Sequence, residues 1–136
     1  MSIVSPPKPE TIEKYNDAIL PAFALLAARQ LDLFTPLKDG PMTAEQIAEA
    51  IGVNSPKLKL LLYALVTTGL LRVEGGFFSN SDEAQHFLVR GNPAYIDGGS
   101  GLDLWAHILG TAFKTADSVR SGFPQAKHDF FTTYLW

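Results

Sequence analysis

Apolar residues in this chain recur every three or four positions in blocks set off by glycine and proline, and one block changes to a short extended run. Between Thr43 and Ser79 this spacing predicts a helix, a turn, a second helix and a β-hairpin. Thr43 is placed to cap the first helix with Gln46 three residues on, Ile47 and Ile51 fall one turn apart, and Gly52 suits a left-handed exit. Asn54 or Ser55 offers the next cap and Pro56 a preset first-turn φ. Leu58, Leu61, Leu62, Leu65 and Val66 then keep helical spacing until Gly69. Leu70, Leu71 and Val73 run into Gly75-Gly76, and Phe77 and Phe78 return on the far side, as the two strands of a hairpin do.

The flanking stretches also read as helices. From Glu10 or Thr11 to Gln30 the residues Ile12, Tyr15, Ile19, Phe23, Leu26 and Ala27 share one face, with Leu20, Ala24 and Ala28 nearby, and Pro21 is expected to bend the helix. An apolar helix of this kind packs either on its own domain or on a partner, and the residues alone leave both open. Leu31 to Leu37, with Asp32 as an early cap, predicts a short helix ended by Asp39-Gly40-Pro41. Asn80-Ser81-Asp82-Glu83 offers a cap ahead of Ala84, Phe87 and Leu88. After the glycine-rich turn at Asp97 to Gly101, Leu102, Trp105, Ile108, Leu109, Ala112, Phe113 and Ala116 predict the inner face of a last helix, closed by Gly122 and Pro124. Phe130, Phe131, Tyr134, Leu135 and Trp136 make an aromatic end after which a further element is expected. The fold class is therefore mainly α: a winged helix-turn-helix with a short β-hairpin wing and additional flanking helices.

A winged helix raises nucleic-acid binding first, and charge answers it. The second helix offers only Lys57 and Lys59 among leucines, and the wing sets Arg72 beside Glu74. Groove binding needs phosphate-neutralising and base-reading side chains on one exposed face, so no nucleic acid is expected. The formal net charge of -3 points the same way for nucleic acid and for anionic membrane. With 136 residues, 46% of them hydrophobic, the chain has material for one ordinary core. The absence of cysteine removes disulfides and thiolate chemistry and fits a reducing, cytoplasmic setting. No apolar run reaches the roughly 20 residues that span a bilayer.

Catalytic constellations are scarce. Asp97-Gly98-Gly99-Ser100-Gly101 imitates a nucleotide-cradling loop, but Pro93 and a very short extended run precede it and no series of βαβ units surrounds it; a helix-entry loop is the plainer reading. His86, His107 and His128 lack metal-ligand spacing. His107, on the helix with Asp103 and Trp105, is the one placed to orient a polar substrate. No carboxylate pair or Ser/His/Asp set can be assembled.

Taken together, the helix from Ala18 to Arg29, the run from Leu31-Asp32-Leu33-Phe34 through Ile47-Ala48, the segment Leu61-Leu62-Tyr63-Ala64-Leu65 to Gly69-Leu70-Leu71, and Val119-Arg120-Ser121-Gly122 resemble the amino-terminal dimerisation domain of small-molecule O-methyltransferases. The resemblance covers nearly the whole chain. It implies a homodimer, with Ile19, Leu20, Phe23 and Leu26 at the partner subunit and Trp105, His107 and Leu109 bordering a pocket for a small-molecule hydroxyl. S-adenosylmethionine would be held by a separate α/β domain, whose glycine loop and catalytic histidine have no counterpart in these residues. Residues 1–9 are then a flexible arm, 10–122 the dimerisation domain, and 123–136 the start of a linker toward that domain. The 136-residue chain is not expected to transfer a methyl group or bind the cofactor on its own. A winged-helix transcription regulator and a stand-alone ligand-sensing module are the alternatives.

Overall fold

In the computed structural model, residues 4–96 and 112–124 are described, and the chain divides into two units, Met1–Tyr95 and Ile96–Trp136. The first unit runs α1 (Glu10–Gln30), a 3-10 turn (Thr35–Asp39), β1 (Met42–Thr43), α2 (Ala44–Ile51), α3 (Ser55–Thr68), β2 (Leu71–Glu74), β3 (Phe77–Asn80) and α4 (Asp82–Phe87). This is the mainly α winged helix-turn-helix with a short hairpin that the hydrophobic pattern predicts.

The helix boundaries are set by the caps the sequence supplies. Gln46 N donates to Thr43 Oγ1 at 3.2 Å while Thr43 N donates to Gln46 Oε1 at 2.9 Å, a reciprocal capping box at the start of α2. Thr43→Ala should lower the unfolding free energy by about 1 kcal/mol in a urea titration, because the helix end loses the hydroxyl acceptor that closes this box. Lys57 N donates to Asn54 Oδ1 at the start of α3, and α2 and α3 each end on a left-handed glycine, Gly52 and Gly69.

Leu58, Leu62 and Leu65 form the buried face of α3, and Ile47, Leu33, Phe34, Leu37, Leu71 and Phe78 close around them. The wing turns at Gly75-Gly76, both with positive φ, which matches the twist of a two-residue hairpin loop. Phe78 lies on the central strand: it faces Val73 on β2 and Met42 on β1, in the strand order β1-β3-β2. The two-residue β1 is too short to leave a periodic signal.

Two features depart from the sequence reading. No helix spans Leu31 to Leu37; Asp32 takes a left-handed φ of 51° and the helical turn begins at Thr35. A helix over that span would place Pro36, which has no N–H, opposite the Asp32 carbonyl. The Asp32 carboxylate accepts from the Thr35 hydroxyl at 2.7 Å instead of capping a backbone N–H. Asn80, read as part of a cap, is buried inside the wing joint, and Ser81 is the α4 cap, accepting from Ala84 N. Asn80 Nδ2 donates to the Phe34 carbonyl at 3.0 Å and to Gln85 Oε1 at 2.9 Å, and Gln85 Nε2 donates to the Lys38 carbonyl. Carbonyls at both ends fix the direction of this chain of amides. Asn80→Ala should therefore cost about 2 kcal/mol in denaturant unfolding, by stranding the Phe34 carbonyl at a buried bond and freeing Gln85 Oε1.

In the second unit a 3-10 turn, Ala112–Lys114, leads into α5 (Thr115–Ser121), which ends on Gly122 with φ 75°. Phe113 and Ala116, predicted for an inner face, are exposed. The 3-10 turn breaks the helical period on which that placement rested. Among the described residues no helix is long and apolar enough to cross a membrane.

Candidate functional site

α1 carries two apolar surfaces on different sides. Small residues, Ala24 and Ala28, are buried and bring the C-terminal half close to α3. The large ones stand elsewhere: at 100° per residue, Ile12, Tyr15, Ile19 and Phe23 centre about 150° around the helix from that contact. Residues 10–20 are exposed without exception. The side of the N-terminal half continuous with Ala24 and Ala28 carries Glu13 and Asp17, so the helix leaves its own domain with a charged flank and an apolar stripe.

Of the residues singled out for partner contact, Leu20 is 77% exposed, Ile19 51% and Phe23 41%, whereas Leu26 is half-buried. Ile12 and Tyr15, exposed at 65% and 66%, extend the same stripe toward the helix start. Their three- and four-residue spacing is the signal that marks them as part of it. Trp105, His107 and Leu109 lie outside the described residues, as do Asp97 to Gly101 and His128. His86 has its ring edge-on to that of Phe87, at 4.7 Å between centroids.

The outer side of α3 carries Lys59, Leu60 and Tyr63. Tyr63 stands edge-on to Phe78 at 5.3 Å, and Arg72 on the wing pairs with Asp82 at 3.7 Å. A leucine and a tyrosine occupy the positions from which a groove-reading helix would present amides and cations. Beside the end of α1, two grooves of about 480 and 220 Å³ meet at Leu31. The larger has Asp32, Thr35 and Lys38 in its wall, with Asp32 already engaged by Thr35 and, at 3.7 Å, by Arg90. Among the described residues no cluster of His, Asp and Glu could hold a metal ion.

With this geometry in place, comparison with known proteins is specific. A family model described as O-methyltransferase dimerisation domain matches residues 14–90. The chain is 43% identical over 77 residues to the N,N-dimethyltransferase OxyT of Streptomyces rimosus, covering 57% of this chain and 22% of that protein. It is 35% identical over 120 residues to the tetracenomycin polyketide synthesis 8-O-methyl transferase TcmO of Streptomyces glaucescens, covering 82% and 33%. Among solved structures, the N,N-8-amino-8-demethyl-D-riboflavin dimethyltransferase RosA of Streptomyces davawensis superposes with a TM-score of 0.71 at 28% identity, over 88% of this chain and 36% of that one. PigF with SAH gives a TM-score of 0.73 at 24% identity over 86% and 38%, a likeness of fold alone. The chain thus spans about a fifth to a third of the two curated relatives.

Proposed function

This chain belongs to the O-methyltransferase dimerisation-domain family, and from that membership we propose that it joins two copies of an S-adenosylmethionine-dependent methyltransferase and helps roof the pocket for the methyl acceptor. The observation that carries this reading is the apolar stripe of α1, centred on Ile19 and Phe23, uncovered by its own domain within the very segment the family model matches. Covering it removes water from large side chains at roughly 25 cal/mol per Å², the main driving force for association.

The cofactor belongs elsewhere in the enzyme. The segment that the family model matches is a dimerisation domain. S-adenosylmethionine supplies an electrophilic methyl group when bound, and a separate α/β domain is the element that holds it. The contribution of this domain is to align two subunits and exclude water above the acceptor, with Trp105, His107 and Leu109 as bordering residues. The cysteine-free composition suits a cytoplasmic enzyme.

A hydroxyl is the first reading of the acceptor. The amine reading stands beside it because OxyT and RosA are both N,N-dimethyltransferases by name. Incubating the enzyme with labelled S-adenosylmethionine and paired phenolic and arylamine acceptors separates the two, and transfer to neither class would refute the proposal. Calorimetric titration of the 136-residue chain with S-adenosylmethionine should show no heat of binding. A micromolar or tighter dissociation constant would return attention to Asp97 to Gly101.

A further inference from the structure

α1 runs from Glu10 to Gln30 with Pro21 inside it, and the proline divides it into halves held by different means. The C-terminal half belongs to the domain. Ala24 and Ala28 are buried where α1 meets α3, and Leu31 N and Leu33 N donate to the Ala27 and Ala28 carbonyls at 3.0 Å. The N-terminal half, residues 10–20, buries no side chain, and its N-cap, Pro9, makes no side-chain cap bond. From this division we propose that residues 10–20 open and close as a unit of their own, with Pro21 as the boundary, while the rest of α1 stays in place. Ile12, Tyr15 and Ile19 form a continuous apolar stripe only while that unit is helical, so the proline sets how much of the stripe is presented. This opening stands apart from the dimer reading above, which concerns what meets the stripe and not how often it exists.

Two properties of proline put the boundary at this point. Inside a continuous helix Pro21 has no N–H to donate to the Asp17 carbonyl, and its ring crowds that carbonyl. It also disfavours the helical conformation of the residue before it, Leu20. At the first position of a helix the missing N–H costs nothing, because it would have no intrahelical acceptor, and the fixed φ suits the turn. Opening of residues 10–20 therefore converts a costly interior proline into a favourable first residue of a helix over 21–30. Closing has to come from the segment itself, which falls short of the roughly 12–15 residues at which even good sequences become marginally helical alone. Thr11, Tyr15, Asn16 and Asp17 are also weak helix formers. Glu10 and Glu13 in the first turn, and Lys14 Nζ 5.7 Å from the Tyr15 ring centroid, favour the helix. At an exposed site each shifts the equilibrium by roughly two- to fivefold, against roughly a hundredfold for an interior proline.

Native-state hydrogen exchange on the full chain reads the two halves separately. Ile19→Lys serves as the background: it carries a charge into the stripe, so association there does not mask opening, and lysine forms helix at least as well as isoleucine, so the background does not itself open the segment. In this chain the amides of residues 14–20 should exchange at least about a hundredfold faster than those of residues 25–30, which exchange with global unfolding. Adding Pro21→Ala should slow the 14–20 amides by at least about tenfold, toward the roughly hundredfold that separates alanine from proline inside a helix. If the 14–20 amides are protected as strongly as the 25–30 amides while Pro21 is present, α1 is one cooperative unit and the proposal is overturned. It is overturned equally if Pro21→Ala leaves the 14–20 amides unmoved. Sedimentation of the unsubstituted chain reads dimerisation by itself, so failure of either reading leaves the other standing.

Discussion

Ile19→Asp should convert the chain from a dimer to a monomer in sedimentation equilibrium, with its far-ultraviolet circular dichroism unchanged. The size of the effect follows from symmetry. One substitution enters a two-fold interface twice, removing two large aliphatic groups worth about 1.5–3 kcal/mol each when fully buried, and leaving a carboxylate from each subunit in a desolvated seam. A loss of at least about 4 kcal/mol corresponds to roughly a thousandfold weaker dimer. The fold itself should tolerate the change, because Ile19 is half exposed within its own chain and the carboxylate there faces water once the partner has gone. A monomeric parent chain, or a dimer indifferent to the substitution, would place the interface on another surface. Phe23→Asp should act in the same direction.

Phe78→Ala should produce the largest loss of folding stability, about 3–5 kcal/mol in a urea or guanidinium titration. Phe78 is 1% exposed, sits on the central strand between β1 and β2, and carries the ring that Tyr63 meets edge-on. Truncation would empty a space bounded by both edge strands and α3, elements too rigidly joined to collapse into it. Phe77→Ala is the control. Its side chain, one residue away on the opposite face of the strand, is half exposed, so the same chemical change should cost less than about 1 kcal/mol. Equal losses at the two positions would contradict the strand register.

The two substitutions also mark how far the sequence could be read. The hairpin was legible because Gly75-Gly76 divides two apolar runs, but the central place of β3 was not, because the two-residue β1 that pairs with its other edge leaves no periodic signal. Nor was the facing of its phenylalanines: adjacent ones look alike until the pairing register sends one inward. The same limit applies to α1. Its apolar residues and their period were plain, but the sequence left open whether the stripe of large residues would pack on its own domain; Ala24 and Ala28 meet the domain instead, because small residues let α1 approach α3 closely. Asn80 was unreadable for a different reason, since its partners, the Phe34 carbonyl directly and the Lys38 carbonyl through Gln85, are distant in sequence and a lone asparagine after a strand looks like a cap.

By itself the sequence determined what local chemistry governs: the capping box at Thr43, the glycine exits at Gly52 and Gly69, the turn of the wing and the helical spacing of α1, α2 and α3. Each depends on residues within about four positions of one another, so the order of side chains is enough. Tertiary structure alone decided which apolar face of α1 is left exposed, which phenylalanine of the wing enters the core, and why Asn80 is buried. Those outcomes turn on contacts between residues far apart in the chain, where volume and hydrogen-bond satisfaction across the fold select among arrangements that the local pattern permits equally.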